Sequence, residues 1–118
     1  MSRNILVAVG DMFFASKING TAEQLNINVK FVRNINDLLA HARTSPSVIL
    51  LDLNNSRFDP IDALKQLKGD ESLRSIPVVG FLSHVQVELQ RQAAEAGCDQ
   101  VLPRSKFTAN LPEILLNT

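Results

Sequence analysis

The chain has 118 residues, 45% of them apolar and 20% charged, the size and balance of one globular domain that buries a core without disulfides or a structural metal. Twelve Lys and Arg offset twelve Asp and Glu, which leaves no net field to hold nucleic acid or an anionic membrane, so neither is an expected partner. The first apolar run, Ile5 to Val9, is too short for a signal segment or a span, and the lone Cys98 has no Cys or His at metal-ligand spacing, so the expected setting is a reducing cytoplasm.

In chain order, Ile5-Leu6-Val7-Ala8-Val9 lacks alternation and reads as a strand covered on both faces. Phe14, Ile18, Ala22 and Leu25 then share one face of a helix, in which Gly20 costs roughly 1 kcal/mol. Ile27, Val29 and Phe31 alternate with polar residues, as on a strand near a sheet edge. A short helix follows, with Asn36 as its expected cap and Leu38, Leu39 and Ala42 turned inward. Val48-Ile49-Leu50-Leu51 is the third strand. Asp59-Pro60 opens the next helix, a capping carboxylate followed by the residue preorganised for the first turn, and Ile61, Leu64 and Leu67 carry its face to Gly69. Val78-Val79-Gly80-Phe81-Leu82 is the fourth strand, and Val85, Leu89, Ala93 and Ala96 form a helical stripe that Gly97 stops. Gln100-Val101-Leu102 is a minimal fifth strand, and a last helix is predicted around Leu111 to Leu116, with Pro112 in its first turn.

Regular alternation of strand and helix implies right-handed crossovers and a doubly wound parallel sheet with helices on both faces. Ligands of such sheets gather beyond the carboxyl ends of the strands. Gly10-Asp11, Asp52-Leu53-Asn54, Ser83-His84 and Pro103-Arg104 are therefore the residues to inspect.

Those strand ends carry a likeness. Leu50-Leu51-Asp52 closes the third strand, Asp59 follows seven residues later, Ser75-Ile76-Pro77-Val78-Val79 enters the fourth strand, and Ala94-Glu95-Ala96-Gly97-Cys98-Asp99 leads into the fifth. In these landmarks and their order the whole chain, residues 1–118, resembles a single CheY-like receiver domain of bacterial two-component response regulators. The resemblance implies a flavodoxin-like fold of five strands in the order 2-1-3-4-5, and it makes Asp52 the equivalent of the phosphoacceptor.

The departures from that pattern define the expected function. Where the family holds magnesium with two acidic residues, this chain has Val9-Gly10, with Asp11 one position beyond. The family's switching hydroxyl aligns with Leu82, one residue before Ser83. Its lysine aligns with Arg104, its following cis-proline with Ser105, and its switching aromatic with Val101. Without a divalent cation a phosphoryl group beside Asp52 forfeits several kcal/mol of charge stabilisation. The expected protein is thus a degenerate receiver, no enzyme and without a cofactor, which signals through protein contacts. A residual phosphoacceptor is the alternative, with Asp11 and Asp52 sharing magnesium. Asp52 reads as a nucleophile, as a relic of one, or, in the favoured reading, as a carboxylate paired bidentately with Arg104.

Asn54 and Asn55 read as turn residues, Asp11 as a helix cap, and Cys98 as a small packed side chain. His41 and His84 lack partners at an informative spacing and read as solvated. Phe13 and Phe14 are adjacent, so one helix face cannot bury both, and one of them fills the space left by the lost acids. In the family, partners meet the segment from the fourth to the fifth helix. The candidates here are Glu88, Arg91, Gln92, Glu95 and Val101, facing a histidine kinase, an output protein or a second copy in a homodimer, with an ordinary solvated helix surface as the plainer reading. A flavin or nucleotide enzyme on the same topology is disfavoured, because Gly10-Asp11-Met12-Phe13-Phe14 offers one glycine, no hydroxyl and a carboxylate that repels phosphate.

Overall fold

The computed structural model describes residues 3–83 and 86–117. Parallel strands β1 (Asn4–Ala8), β2 (Asn28–Phe31), β3 (Val48–Asp52), β4 (Val78–Leu82) and β5 (Gln100–Pro103) form one sheet in the order β2-β1-β3-β4-β5. The helices between them are α1 (Met12–Gln24), α2 (Ile35–Ala42), α3 (Pro60–Gly69) and α4 (Val87–Glu95), with α5 (Arg104–Ala109) and α6 (Leu111–Asn117) after β5. This is the doubly wound architecture and strand order expected from the sequence.

The unalternating runs have a simple cause. Every residue of β3 and β4 is buried, because successive side chains enter opposite layers that are both covered. Leu6, Ala8, Ile49, Leu51 and Val78 pack with Leu38 of α2, Leu64 of α3 and Ala93 of α4. Ile5, Val7, Val48, Leu50, Val79 and Phe81 pack on the other side with Ile18 of α1, Phe107 of α5 and Leu115 of α6. Edge strands β2 and β5 are less buried, as their composition implies.

Local chemistry sets the helix boundaries. The Asp11 carboxylate accepts the N–H groups of Phe13 and Phe14, so it caps α1 as expected. Asp59 and Pro60 open α3 in the same way, with Asp59 accepting from Ile61 and Asp62. The cap of α2 is Asn34 and not Asn36: Asn34 is extended and accepts the Asp37 N–H at 2.7 Å, whereas Asn36 already lies inside the helix. Gly97, at φ +100°, lies just past the Ala96 cap of α4 in a conformation that favours glycine. Helix α5 was not foreseen, since six residues with one buried side chain, Phe107, leave no periodicity to read. Val85 and His84 lie outside the described residues. Leu89, Ala93 and Ala96 face inward as predicted.

Candidate functional site

The carboxyl ends of β1, β3, β4 and β5 bring Gly10, Asp11, Asp52, Asn54, Leu82, Ser83 and Arg104 to one end of the sheet. Asp52 is the last residue of β3 and is only 3% exposed. Its Oδ1 accepts the Asn54 N–H at 2.9 Å, and the nearby Gly10 N–H also favours the charged carboxylate. Burial pushes the Asp52 carboxyl above the ordinary carboxylate range; the two N–H donors and the Arg104 charge oppose that shift, and the nearby Asp11 charge adds to it.

Arg104 does not form the expected bidentate pair with Asp52. It opens α5, and its guanidinium lies 4.6 Å over the Phe14 ring, with Nη1 3.4 Å from Asp11 Oδ2. Asp52 accepts the Asn54 N–H, and Arg104, engaged with Phe14 and Asp11, acts on it through space. The Arg104 Nε is buried with no hydrogen-bond partner among the described residues. Beneath the guanidinium, Phe14 stacks on Phe81 at 4.9 Å and Phe81 on Phe107 at 4.3 Å. Phe14 is buried while Phe13 is 90% exposed. The ladder ties α1, β4 and α5 together directly under the site.

Asn54 does more than shape a turn. Its Nδ2 donates to Gln86 Oε1 at 2.9 Å and its Oδ1 accepts the Ser83 N–H at 2.8 Å, which stitches the loop after β3 to the loop after β4. Asn55 is buried and accepts the Arg57 N–H, and its Oδ1 would lie 3.4 Å from a Cβ added at Gly10. Leu82 is buried, Ser83 exposed and Val9 half-buried against the layer that holds α1. The end of β4 therefore directs an apolar side chain, Leu82, inward.

On α4, Glu88, Arg91, Gln92 and Glu95 are all exposed and bonded to one another: Arg91 pairs with Glu88 and, at 2.6 Å, with Glu95, and Gln92 donates to Glu88. Val101 is half-buried in the apolar layer that also takes in Leu89 and Ala96. Val87, 74% exposed, is the apolar neighbour of the polar network. His41 pairs with Asp37 at 3.3 Å. Burial pushes the Cys98 thiol up to about 11, the behaviour of an inert packed cysteine.

Sequence reasoning missed a second constellation, at the opposite end of the sheet. Lys68 Nζ donates to the carbonyls of Arg74 and Ile76 and to Asp99 Oδ2, all within 3.0 Å, and the same Asp99 oxygen accepts the Val78 N–H. Gly97 makes room for the lysine stem, since a Cβ there would lie 2.8 Å from Lys68 Cγ. No spacing pattern announces this cluster; the glycine preceding the fifth strand was the one available signal.

The sequence matches no family model and no curated protein. Solved structures do match. The chain superposes on the phosphorylated cyanobacterial phytochrome response regulator RcpA with a TM-score of 0.81 at 21% identity, covering 98% of this chain and 89% of that one. The chemotaxis response regulator CheY4 of Vibrio cholerae gives 0.82 at 15% identity, with 98% and 97% covered. The Mn(2+)-bound form of response regulator Rcp1 gives 0.82 at 17%, with 98% and 96% covered. The fold is that of response-regulator receiver domains.

Proposed function

With the receiver fold as premise, we propose that residues 1–118 are one receiver-like signalling domain of the two-component type, degenerate at its phosphorylation site, that acts in the cytoplasm through protein contacts and without enzymatic activity. The observation that carries this reading is the state of Asp52: a buried carboxylate that accepts the Asn54 N–H, with Val9, Gly10 and Leu82 at the positions where the family has two acids and a hydroxyl. No helix among the described residues is long and apolar enough to cross a membrane.

A divalent cation fits these residues poorly. Asp11 Oδ1 caps α1 and its Oδ2 faces Arg104, while Val9 and Gly10 supply no side-chain ligand. Among the described residues no three His, Cys, Asp or Glu side chains converge. Magnesium requires near-octahedral oxygen ligands, and the guanidinium occupies the space from which a metal would approach Asp11. Arg104 instead supplies the positive charge, as a fixture and not as an exchangeable ion. The partner in this reading is a histidine kinase, an output protein or a second copy on the α4–α5 face, where Val87 gives an apolar contact beside the Glu88–Arg91–Glu95 network.

The test is exposure to small phosphodonors and to beryllium fluoride, followed by intact mass and by amide shifts. The expected outcome is an unmodified protein with an unchanged spectrum. A stable adduct that disappears in Asp52→Asn would return the chain to the phosphoacceptor class, with Asp11 and Asp52 as its acidic pair.

A further inference from the structure

A groove of about 370 Å³ lies between the start of α1, the end of β2 and the loop after β3. Val9, Met12, Ala15, Phe31 and Val32 form its apolar lining, Ser16 and Asn19 of α1 are polar residues on one wall, and Arg33 and Arg57 are the charged residues on it. Met12 is 72% exposed, so apolar surface stands open to water here. Arg33 and Arg57 are exposed and have no acidic partner among the described residues, unlike Arg43, Arg91 and Arg104, which are all paired. The volume lies in the range of about 300–1,000 Å³ usual for small-molecule clefts.

Val9 extends the apolar lining of this groove toward the end of β1. It stands where the receiver pattern has a carboxylate, and a carboxylate there would place an anion on the same wall as the two arginines. With valine, the groove has an uncompensated positive rim over an oily floor. We propose that this groove binds a small organic anion with an apolar body, its acid group held between Arg33 and Arg57 and its body lying on Val9, Met12, Phe31 and Val32. Guanidinium forks match carboxylate and phosphate oxygens bidentately, and burying the body against the floor removes apolar surface from water. The groove does not include Asp52, so this site stands or falls independently of whether that residue accepts phosphate. It gives the domain an input that does not pass through the altered pocket.

Octanoate is a suitable probe, titrated against the isotope-labelled protein and followed by amide shifts. Saturable shifts are expected at Val9, Met12, Phe31, Val32, Arg33 and Arg57. Octanol, with the same body and no charge, and acetate, with the charge and no body, are each expected to bind at least about tenfold more weakly. Arg33→Gln with Arg57→Gln is expected to weaken octanoate about tenfold while leaving the rest of the spectrum in place, since neither side chain is buried or paired. Val9→Asp is expected to weaken it further. Equal binding of octanol, shifts scattered over the surface, or unchanged affinity in the double arginine variant would each overturn the proposal.

Discussion

Arg104 is the residue whose removal reports most on the site. Three groups depend on it: the Phe14 ring 4.6 Å from its guanidinium carbon, Asp11 at 3.4 Å, and Asp52 through space. Substitution Arg104→Met keeps an apolar stem over Phe14 and deletes the charge. A cation over a ring is worth about 0.5–1 kcal/mol where water retains access, and the Arg104 side chain keeps 31% of its exposure. The pair with Asp11, which is 39% exposed, adds about 0.2–1 kcal/mol after screening. A loss of about 1–2 kcal/mol follows, before the effect on Asp52. That effect has a definite sign: Arg104 lowers the Asp52 pKa, so its removal raises it further. Urea denaturation of the wild type, Arg104→Met, Asp11→Asn and the double variant measures the coupling, and carbonyl-detected titration follows Asp52. Coupling of about 0.2–1 kcal/mol between positions 11 and 104 is expected. Strict additivity together with an unmoved Asp52 titration would refute the assignment of Arg104 as the fixed counter-charge of the site.

The Asp52 carboxyl is raised in the folded chain, so above the ordinary value of 3.8 the native state holds its proton more tightly than the unfolded state does. Stability contributed by this group therefore falls as pH rises through the shifted pKa, and thermal melts of Asp52→Asn are expected to show a shallower decline over that window than the wild type. Phe107→Ala removes the last ring of a fully buried stack and is expected to cost about 3–5 kcal/mol by chemical denaturation. Lys68→Met leaves two carbonyls and Asp99 without their shared donor, with an expected loss of about 2–3 kcal/mol by the same measurement; a neutral result would mean that water replaces the ammonium without penalty.

The fold was legible because each of its elements carries a local signature. β1, β3 and β4 read as doubly covered strands from their apolar runs alone, and Asp59-Pro60 marked the start of α3 to the residue. The short pieces were harder. Asn34 and Asn36 are chemically identical candidates two positions apart, and only the backbone at Asn34, with φ −147° and ψ 167°, decides which one caps α2. The site was legible as a set of positions but not as a set of bonds. Position along a strand places Asp52 and Arg104 at the same end of the sheet, whereas the choice between Asp11 and Asp52 as partner of Arg104 depends on the ring of Phe14, over which the guanidinium settles beside Asp11. The Phe14–Phe81–Phe107 stack joins residues up to 93 positions apart, and periodicity within one element carries no information about such contacts.

In the proposed reading, the positions that depart from the receiver pattern form one consistent arrangement of charge. With Val9 and Gly10 in place of acids, Asp11 and Asp52 are the carboxylates that the Arg104 charge reaches, and in the proposed reading an arginine neutralises them jointly where a metal would need more ligands than they provide. Arginine also brings a flat face that lysine lacks, and that face requires a ring beneath it, which Phe14 supplies. Phe14 in turn needs Phe81 and Phe107 to fill the space beneath its own ring. The cation therefore rests on a compact cluster of three mutually contacting rings, one each from α1, β4 and α5. An exchangeable ion can leave and return, and a pocket built on one can switch with its occupancy. A guanidinium seated on packed rings has no such freedom, since rotating it away exposes the Phe14 face and leaves Asp11 unpaired. In the proposed degenerate receiver, the contacts of Arg104 with Phe14 and Asp11 hold the start of α5 against α1, and a conformational input enters at another surface.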